Sequence, residues 1–290
     1  MTNQTNSTTS AAEIVARVHD LTTLPDIYVR VKSVIDDPNS ALPELADIIS
    51  TDPVTSGRLL RIANSAFYGL PSRVSKVTQA VSLLGTQQVH DLVLATSVVH
   101  AFGGIPQGLV EPRAFWHSNL LAASAAKRLA DDCGILDSER LFVAGLLAQI
   151  GLLVLFREMP TQMRDALDAV QERDLPIATV LRELIGFDYA AVSAELFRRW
   201  GLPTELISPM RYHTRPGIAK EYRLETDILH IAVAISNAEI RDKALKDLIP
   251  ELDSRAWDVT GLTPESFLLL AEEASALTEQ IAPAMLESVA

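Results

Sequence analysis

The chain is 290 residues long, with 48% apolar residues and a formal net charge of −12 at pH 7. Length and apolar content describe a folded protein of one or two domains with room for a sizeable core. The acidic balance argues against a general nucleic-acid binder or a binder of anionic membranes, since both rely on an excess of Lys and Arg.

A single cysteine, Cys133, rules out an internal disulfide and fits a reducing, cytoplasmic location. The first residues are polar, with neither a basic start nor an apolar core, so residues 1–10 read as a disordered tail and not as a signal peptide. Residues 11–21 are predicted as a short helix. After Leu24-Pro25, helical spacing links Ile27, Val31, Val34 and Ile35, and Asp36-Asp37-Pro38 ends that helix. Leu42–Ser50 follows. Asp52 and Pro53 then read as N-cap and first position of a helix that carries Leu59, Ile62, Ala63, Ala66 and Phe67 on one stripe, with Arg58 and Arg61 off it. Ser75 is expected to cap a helix over Val77–Leu84, closed by Gly85, and Thr86 opens another as far as about His100. Gly103, Gly104, Pro106 and Gly108 mark a boundary between an N-terminal helical lobe (11–108) and a second lobe (109–290).

The second lobe opens with a long helix over about Arg113–Asp131, ended by Gly134. Residues 141–156 are apolar on every side, too long for one strand and too short for a membrane span, and read as a buried helix or helix pair. Gln149 is the one clearly polar side chain in that run. Burying its amide without partners would cost about 1–3 kcal/mol, so it should be hydrogen-bonded. Helices are expected over 160–172 and 176–185. Asp188 caps another with Tyr189, Val192, Leu196 and Trp200 on one face, terminated by Gly201 and Pro203. Further helices cover 203–213, the stretch around Ile228–Ile235, and the segment from Thr263-Pro264 through Ile281. The last of these either completes the lobe or serves a homodimer. No stretch alternates with period two, so the fold class is all-α, without a transmembrane helix or an internal repeat.

Several stretches, in this order, resemble one family. Asp52-Pro53, then Arg58 through Gly69 with its Asn64-Ser65-Ala66-Phe67-Tyr68-Gly69 element, then Val77 through Gly85, look like the N-terminal half of an HDOD domain. Phe115-Trp116, Ala144-Gly145-Leu146-Leu147 and Trp200-Gly201-Leu202-Pro203 resemble its second half. The likeness covers about residues 20–216. It implies an HD-like helical fold, a role in bacterial signalling, and a degenerate version of the metal site of HD phosphohydrolases. Residue by residue, the first metal His of such an enzyme falls on Ser118, beside His117. The His-Asp doublet falls on Ala148 and Gln149, and its following Lys on Leu152. The next His falls on Tyr189, the His-His pair on Tyr212 and His213, and the late Asp near Val233. His213 alone keeps its residue type, and one His cannot hold the ions that activate water for phosphoester hydrolysis. The resemblance therefore implies no catalytic residue, no metal and no cofactor.

The literal dipeptides His19-Asp20 and His90-Asp91 lack the other ligands and read as surface residues. His117, Ser118, Ala148, Gln149, Tyr189, Tyr212, His213 and Asn237 are the candidate lining of a remnant cleft. That cleft is either a pocket for a small molecule or nucleotide or a set of satisfied core groups, with Tyr and Gln as a plug. Arg58, Arg61, Arg73 and Lys76 form a local basic group, either a surface for an acidic partner or a solvated face. Phe67 and Tyr68 are expected to pack between the lobes. The chain carries no recognisable receiver, GGDEF, EAL or DNA-binding segment. The expected function is a non-catalytic signalling output or scaffold module that binds a signalling protein partner. The alternatives are a divergent phosphohydrolase or cyclic-dinucleotide phosphodiesterase, and a nucleotide-binding sensor without catalysis.

Overall fold

The computed structural model describes residues 9–18, 24–37, 40, 42–70, 72–102, 111–241, 243–287 and 289. These residues form helices and turns with no strand among them, so the class is all-α. In chain order the first helices are α1 (Ala11–Arg17), α2 (Asp26–Ile35), α3 (Leu42–Ser50), α4 (Pro53–Ala63), α5 (Val77–Leu84) and α6 (Thr86–Ala101). They are followed by α7 (Pro112–Asp132), α8 (Ser138–Leu147), α9 (Ile150–Glu158), α10 (Pro160–Arg173), α11 (Ile177–Ile185), α12 (Tyr189–Arg199) and α13 (Thr204–Tyr212). The chain closes with α14 (Arg223–Ile240), α15 (Leu245–Leu248), α16 (Ser254–Thr260) and α17 (Pro264–Met285). The expected lobe boundary at Gly103–Gly108, most of the expected tail and the His19-Asp20 dipeptide lie outside the described residues.

Local chemistry accounts for the helix starts. Asp52 accepts the Thr55 amide at 3.0 Å and Pro53 occupies the first position of α4, as its sequence signature predicts. Ser10, assigned to the tail from sequence, caps α1. Its hydroxyl accepts from the Glu13 amide, and its own amide donates to the Glu13 carboxylate at 2.8 Å, a reciprocal capping box. At α5 the cap position belongs to Lys76, not Ser75, with no side-chain bond. The start is set instead by burial of Val77, Ala80, Val81 and Leu84.

The apolar run from residue 141 is a helix pair, α8 and α9, broken at Ala148-Gln149. Extended to Ser138–Glu158, the stretch is long and apolar enough to cross a membrane, but 94% of its most apolar window is buried inside the fold. Two glycines let its neighbours come close. A Cβ on Gly145 would stand 2.6 Å from Ala123 Cα of α7, and one on Gly151 would stand 2.2 Å from the Tyr189 carbonyl of α12. Between the two helices the Ser193 hydroxyl donates to the Ala148 carbonyl at 3.0 Å and accepts the Gly151 amide at 2.9 Å. The break thus leaves both backbone groups satisfied.

α7 packs against α8, α14 and α17. The main core runs from Ile14 in α1 to Val289 and includes residues of α2–α6 and α8–α13. A second cluster joins Leu121, Ala125 and Leu129 of α7 to Ile228, Ile231 and Ile235 of α14 and to Phe267, Leu270 and Ala274 of α17. The final helix therefore spends its apolar stripe inside the molecule.

Candidate functional site

α9, α10, α11, α12, α14 and α15, with the start of α7, enclose a cavity of about 530 Å³. Gln149, at the break between α8 and α9, forms part of its wall, and the Gln149 amide donates from Nε2 to Asn237 Oδ1 of α14 at 2.9 Å. The hydrogen bond that burial requires of Gln149 is thus supplied across the cavity wall.

Two histidines stand beside this pair. His213, at the end of α13, donates from Nδ1 to the Met210 carbonyl at 2.7 Å, while its Nε2 is buried without a partner. Burial pushes the imidazole down to about 4, although the Met210 carbonyl favours the charged form. His230 of α14 donates from Nδ1 to the His213 carbonyl at 2.8 Å, and its Nε2 accepts the Asp253 amide at 3.2 Å. With one nitrogen donating and the other accepting, His230 is held as the neutral ring, and burial likewise lowers its pKa. The Tyr189 ring lies 5.7 Å from that of His213, and burial raises its phenol well above the ordinary range.

The charged groups at the wall come in matched sets. Arg182 of α11 donates to the Asp188 carboxylate and, at 3.0 Å, to the Thr179 hydroxyl. Asp188 also accepts the Thr214 hydroxyl at 2.8 Å and caps α12 through the Ala191 amide. Arg241 binds Glu251 and, at 3.0 Å, Asp174, and Lys243 stands 2.6 Å from both of those carboxylates. Apolar side chains, among them Phe115, Leu152, Phe156, Val170, Val233 and Leu252, cover most of the rest.

The expected cleft residues separate into two groups. Gln149, Tyr189, His213 and Asn237 line the cavity. His117 does not: it sits one residue around α7 from the buried face, and its Nε2 reaches Glu279 of α17 at 3.1 Å on the surface. Ser118 is buried but ties α7 to α14 by donating to the Ser236 carbonyl at 3.1 Å. Ala148 is fully buried at the helix break, and Tyr212, the last residue of α13, is half-buried, neither of them at the cavity. The sequence reading did not name His230, Arg182, Thr214, Arg241 and Glu251. Three of these, His230, Arg241 and Glu251, lie beyond residue 216, where the resemblance ends. The signal that existed was a run of polar residues on the otherwise apolar face of α14.

A metal does not fit here. Among the described residues no group of three or more His, Cys, Asp or Glu is placed to hold one. Of the two cavity histidines, His230 has both ring nitrogens engaged, and Asp188 is taken up by Arg182, Thr214 and its helix cap.

The N-terminal features resolve differently. Arg58, expected off the apolar stripe, is buried, with its guanidinium 3.4 Å from His100 Nδ1 of α6. Arg61 pairs with Glu287 of the C-terminal region, and Arg73 and Lys76 are exposed, so the four do not form one surface. Phe67 and Tyr68 pack on α8: the Phe67 ring lies 5.3 Å from Phe142, and Tyr68 donates to Glu139 at 3.0 Å. His90-Asp91 is not on the surface. α6 is buried on all sides from Val89 to Val99, so any polar pair on it is enclosed. His90 Nδ1 meets Asp91 Oδ1 at 2.8 Å, Tyr28 Oη lies 2.9 Å from Nε2, and burial raises the Asp91 carboxyl.

Comparison with known proteins bears on this arrangement. The model of the HDOD domain family matches residues 21–216. An uncharacterized protein of Treponema pallidum (strain Nichols) is 27% identical over 244 residues, 82% of this chain; the chain spans 45% of that relative's length. A crystal structure from Shewanella amazonensis SB2B, of a protein provisionally named a phosphohydrolase, superposes with a TM-score of 0.74 at 26% identity, covering 97% of this chain and 99% of that one. An HDOD domain protein with unknown function from Geobacter sulfurreducens shares the fold, with a TM-score of 0.72 at 24% identity over 94% of this chain and 95% of that one.

Proposed function

The chain belongs to the HDOD domain family, and from that premise we propose that it is a catalytically inactive HD-like signalling module that acts by binding, not by turnover. The observation that carries the reading is the pairing of Gln149 with Asn237 at the place where an HD enzyme would keep its metal-bridging doublet. A carboxamide there donates a hydrogen bond and contributes no charge, so it cannot replace a carboxylate that bridges cations. Tyr189 and Tyr212 likewise stand at positions of expected His ligands. In this reading residues 11–108 and 109–290 are the two lobes of a bacterial cytoplasmic module, and a signalling protein is its partner.

A second reading, divergent phosphohydrolase activity, is favoured by the provisional name of the Shewanella protein and by the unpartnered Nε2 of His213. Metal content separates the two. Protein produced with added manganese and iron should retain less than about a tenth of an equivalent of either metal by plasma mass spectrometry, since a working site of this type needs its ion. It should also leave bis(p-nitrophenyl) phosphate intact. Stoichiometric metal that disappears on His213→Ala would return the chain to the phosphohydrolases.

A further inference from the structure

The chemistry of the cavity wall restricts what can enter it. We propose that the cavity beside Gln149 and Asn237 binds an uncharged small molecule with an apolar body and one neutral hydrogen-bonding head, and that it excludes nucleotides and other phosphorylated compounds. This rests on the non-catalytic reading and gives that binding site its ligand class.

Size and surface come first. A volume of about 530 Å³ lies within the roughly 300–1,000 Å³ usual for small-molecule pockets. Phe115, Leu152, Phe156, Val170, Val233 and Leu252 offer an apolar body the burial that drives such binding.

Charge decides the rest. A phosphate needs cations that are free to turn toward it. Arg182 is matched one for one by Asp188, and Arg241 with Lys243 is matched by Asp174 with Glu251. A phosphate would have to displace a carboxylate already held in place, or share its cation. The hydrogen bonds of His230 leave that ring uncharged, and His213 already uses Nδ1 as its donor. The amino end of α11, at Ile177 and Ala178, does face the cavity. It adds at most about half a positive charge, with the Glu251 carboxylate at the same wall and Asp188 paired to the lining Arg182. At longer range the net charge of −12 works against polyanions.

The polar recognition that remains is neutral. The bond between Gln149 and Asn237 uses one N–H of the first and one lone pair of the second. Carboxamides carry both donor and acceptor atoms beyond that, which suits a hydroxyl, an amide or an aromatic N–H as the ligand head.

A matched pair of fluorescent probes tests this on the full chain. N-phenyl-1-naphthylamine is neutral with one N–H; 8-anilino-1-naphthalenesulfonate has the same skeleton with a sulfonate added. The neutral probe is expected to saturate a single site, to bind at least about tenfold tighter than the sulfonate, and to stay bound in millimolar ATP. Ala234→Trp, at the cavity wall, should weaken it by about tenfold or more with the thermal midpoint retained. Equal affinity for the two probes, displacement by ATP, or full affinity in a stably folded Ala234→Trp protein would overturn the proposal. If that variant does not fold, the probe ranking on the native chain decides. Bound metal or phosphodiester hydrolysis would instead sink the non-catalytic reading, and the probe ranking is read independently of either.

Discussion

At the scale of single residues, Gly151 shows which of two opposed effects wins. Replacing a glycine by alanine favours a helix by roughly 0.5–1 kcal/mol in its interior and by less in its first turn, where Gly151 stands. At Gly151 the new Cβ would lie 2.2 Å from the Tyr189 carbonyl, a backbone atom that cannot rotate away. Overpacking of this kind costs about 1–3 kcal/mol, so Gly151→Ala should lower the thermal midpoint. Gly57→Ala is the control: its Cβ would meet only the tip of Arg61 at 3.7 Å, so the propensity gain should stand and the midpoint should hold or rise. His213 gives a prediction with pH. Its imidazole is neutral in the fold, with a pKa near 4 against an ordinary 6.5. Between those values the unfolded chain binds a proton that the folded chain refuses. The stability contributed by the neutral ring is therefore present above pH 6.5 and lost as pH falls toward 4, by up to about 3 kcal/mol. Asp91 and Glu139, raised by burial, work in the opposite sense. The test is thus the gap in midpoint between the native protein and His213→Gln, which should shift against the native protein as pH falls from 6.5 to 4. A constant gap would refute it. Gln149 was legible as a cavity residue because a polar side chain stands out in an apolar run, and His213 because the resemblance places a His of the HD pair there. His230 was not, since its role depends on the carbonyl of a residue 17 positions away. The enclosure of His90 and Asp91 was misread because a dipeptide carries no sign of how completely its helix is buried.

At the scale of elements, the Asn-Ser-Ala-Phe-Tyr-Gly stretch is a clasp between the first helices and α8. Asn64 donates to the Leu60 and Val74 carbonyls and accepts the Val74 amide, each at 2.7 Å, so one side chain ties the end of α4 to Val74. That tie presents Tyr68 to Glu139 and stacks Phe67 under Lys127, 5.9 Å from its ring. Asn64→Ala removes all three bonds and leaves the Val74 amide to find water. A cost of about 1–3 kcal/mol is expected, with new cleavage by trypsin at Arg73 or Lys76 under native conditions. Resistance equal to the native protein would show that the loop is held by Phe67 and Tyr68 instead. Most helices were readable from their caps and periods: Leu42–Ser50, the Asp52-Pro53 start and the Asp188 cap agree with the structure. α15 and α16 were not, because four and seven residues are too few for a period to show. The join of α8 and α9 was left open between one helix and two, because what decides it is the Ser193 hydroxyl, 42 residues from the Gly151 amide it accepts.

At the scale of the whole molecule, the family match ends at residue 216, but the fold does not. Ile228, Ile231 and Ile235 of α14 with Phe267, Leu270 and Ala274 of α17 cover the face of α7 that carries Leu121, Ala125 and Leu129. Thr278 of α17 donates to Ser124 at 3.0 Å, Ser236 takes the Ser118 hydroxyl, and Asn237 takes the Gln149 amide. The segment beyond the family match also supplies His230, Arg241 and Glu251 to the cavity wall. A chain ended at residue 216 would expose that α7 face, at about 1.5–3 kcal/mol for each large apolar side chain, and leave the Gln149 amide short of a partner, at about 1–3 kcal/mol more. Such losses match the 5–15 kcal/mol by which native domains usually exceed their unfolded state. The truncated chain should therefore keep helical far-ultraviolet dichroism, lose the near-ultraviolet signal of Trp116 and Trp200, and unfold without a cooperative transition. A cooperative transition with the near-ultraviolet signal intact would make residues 217–290 an appendage to a self-sufficient family domain, and the cavity would then be a feature added to that domain and not part of it.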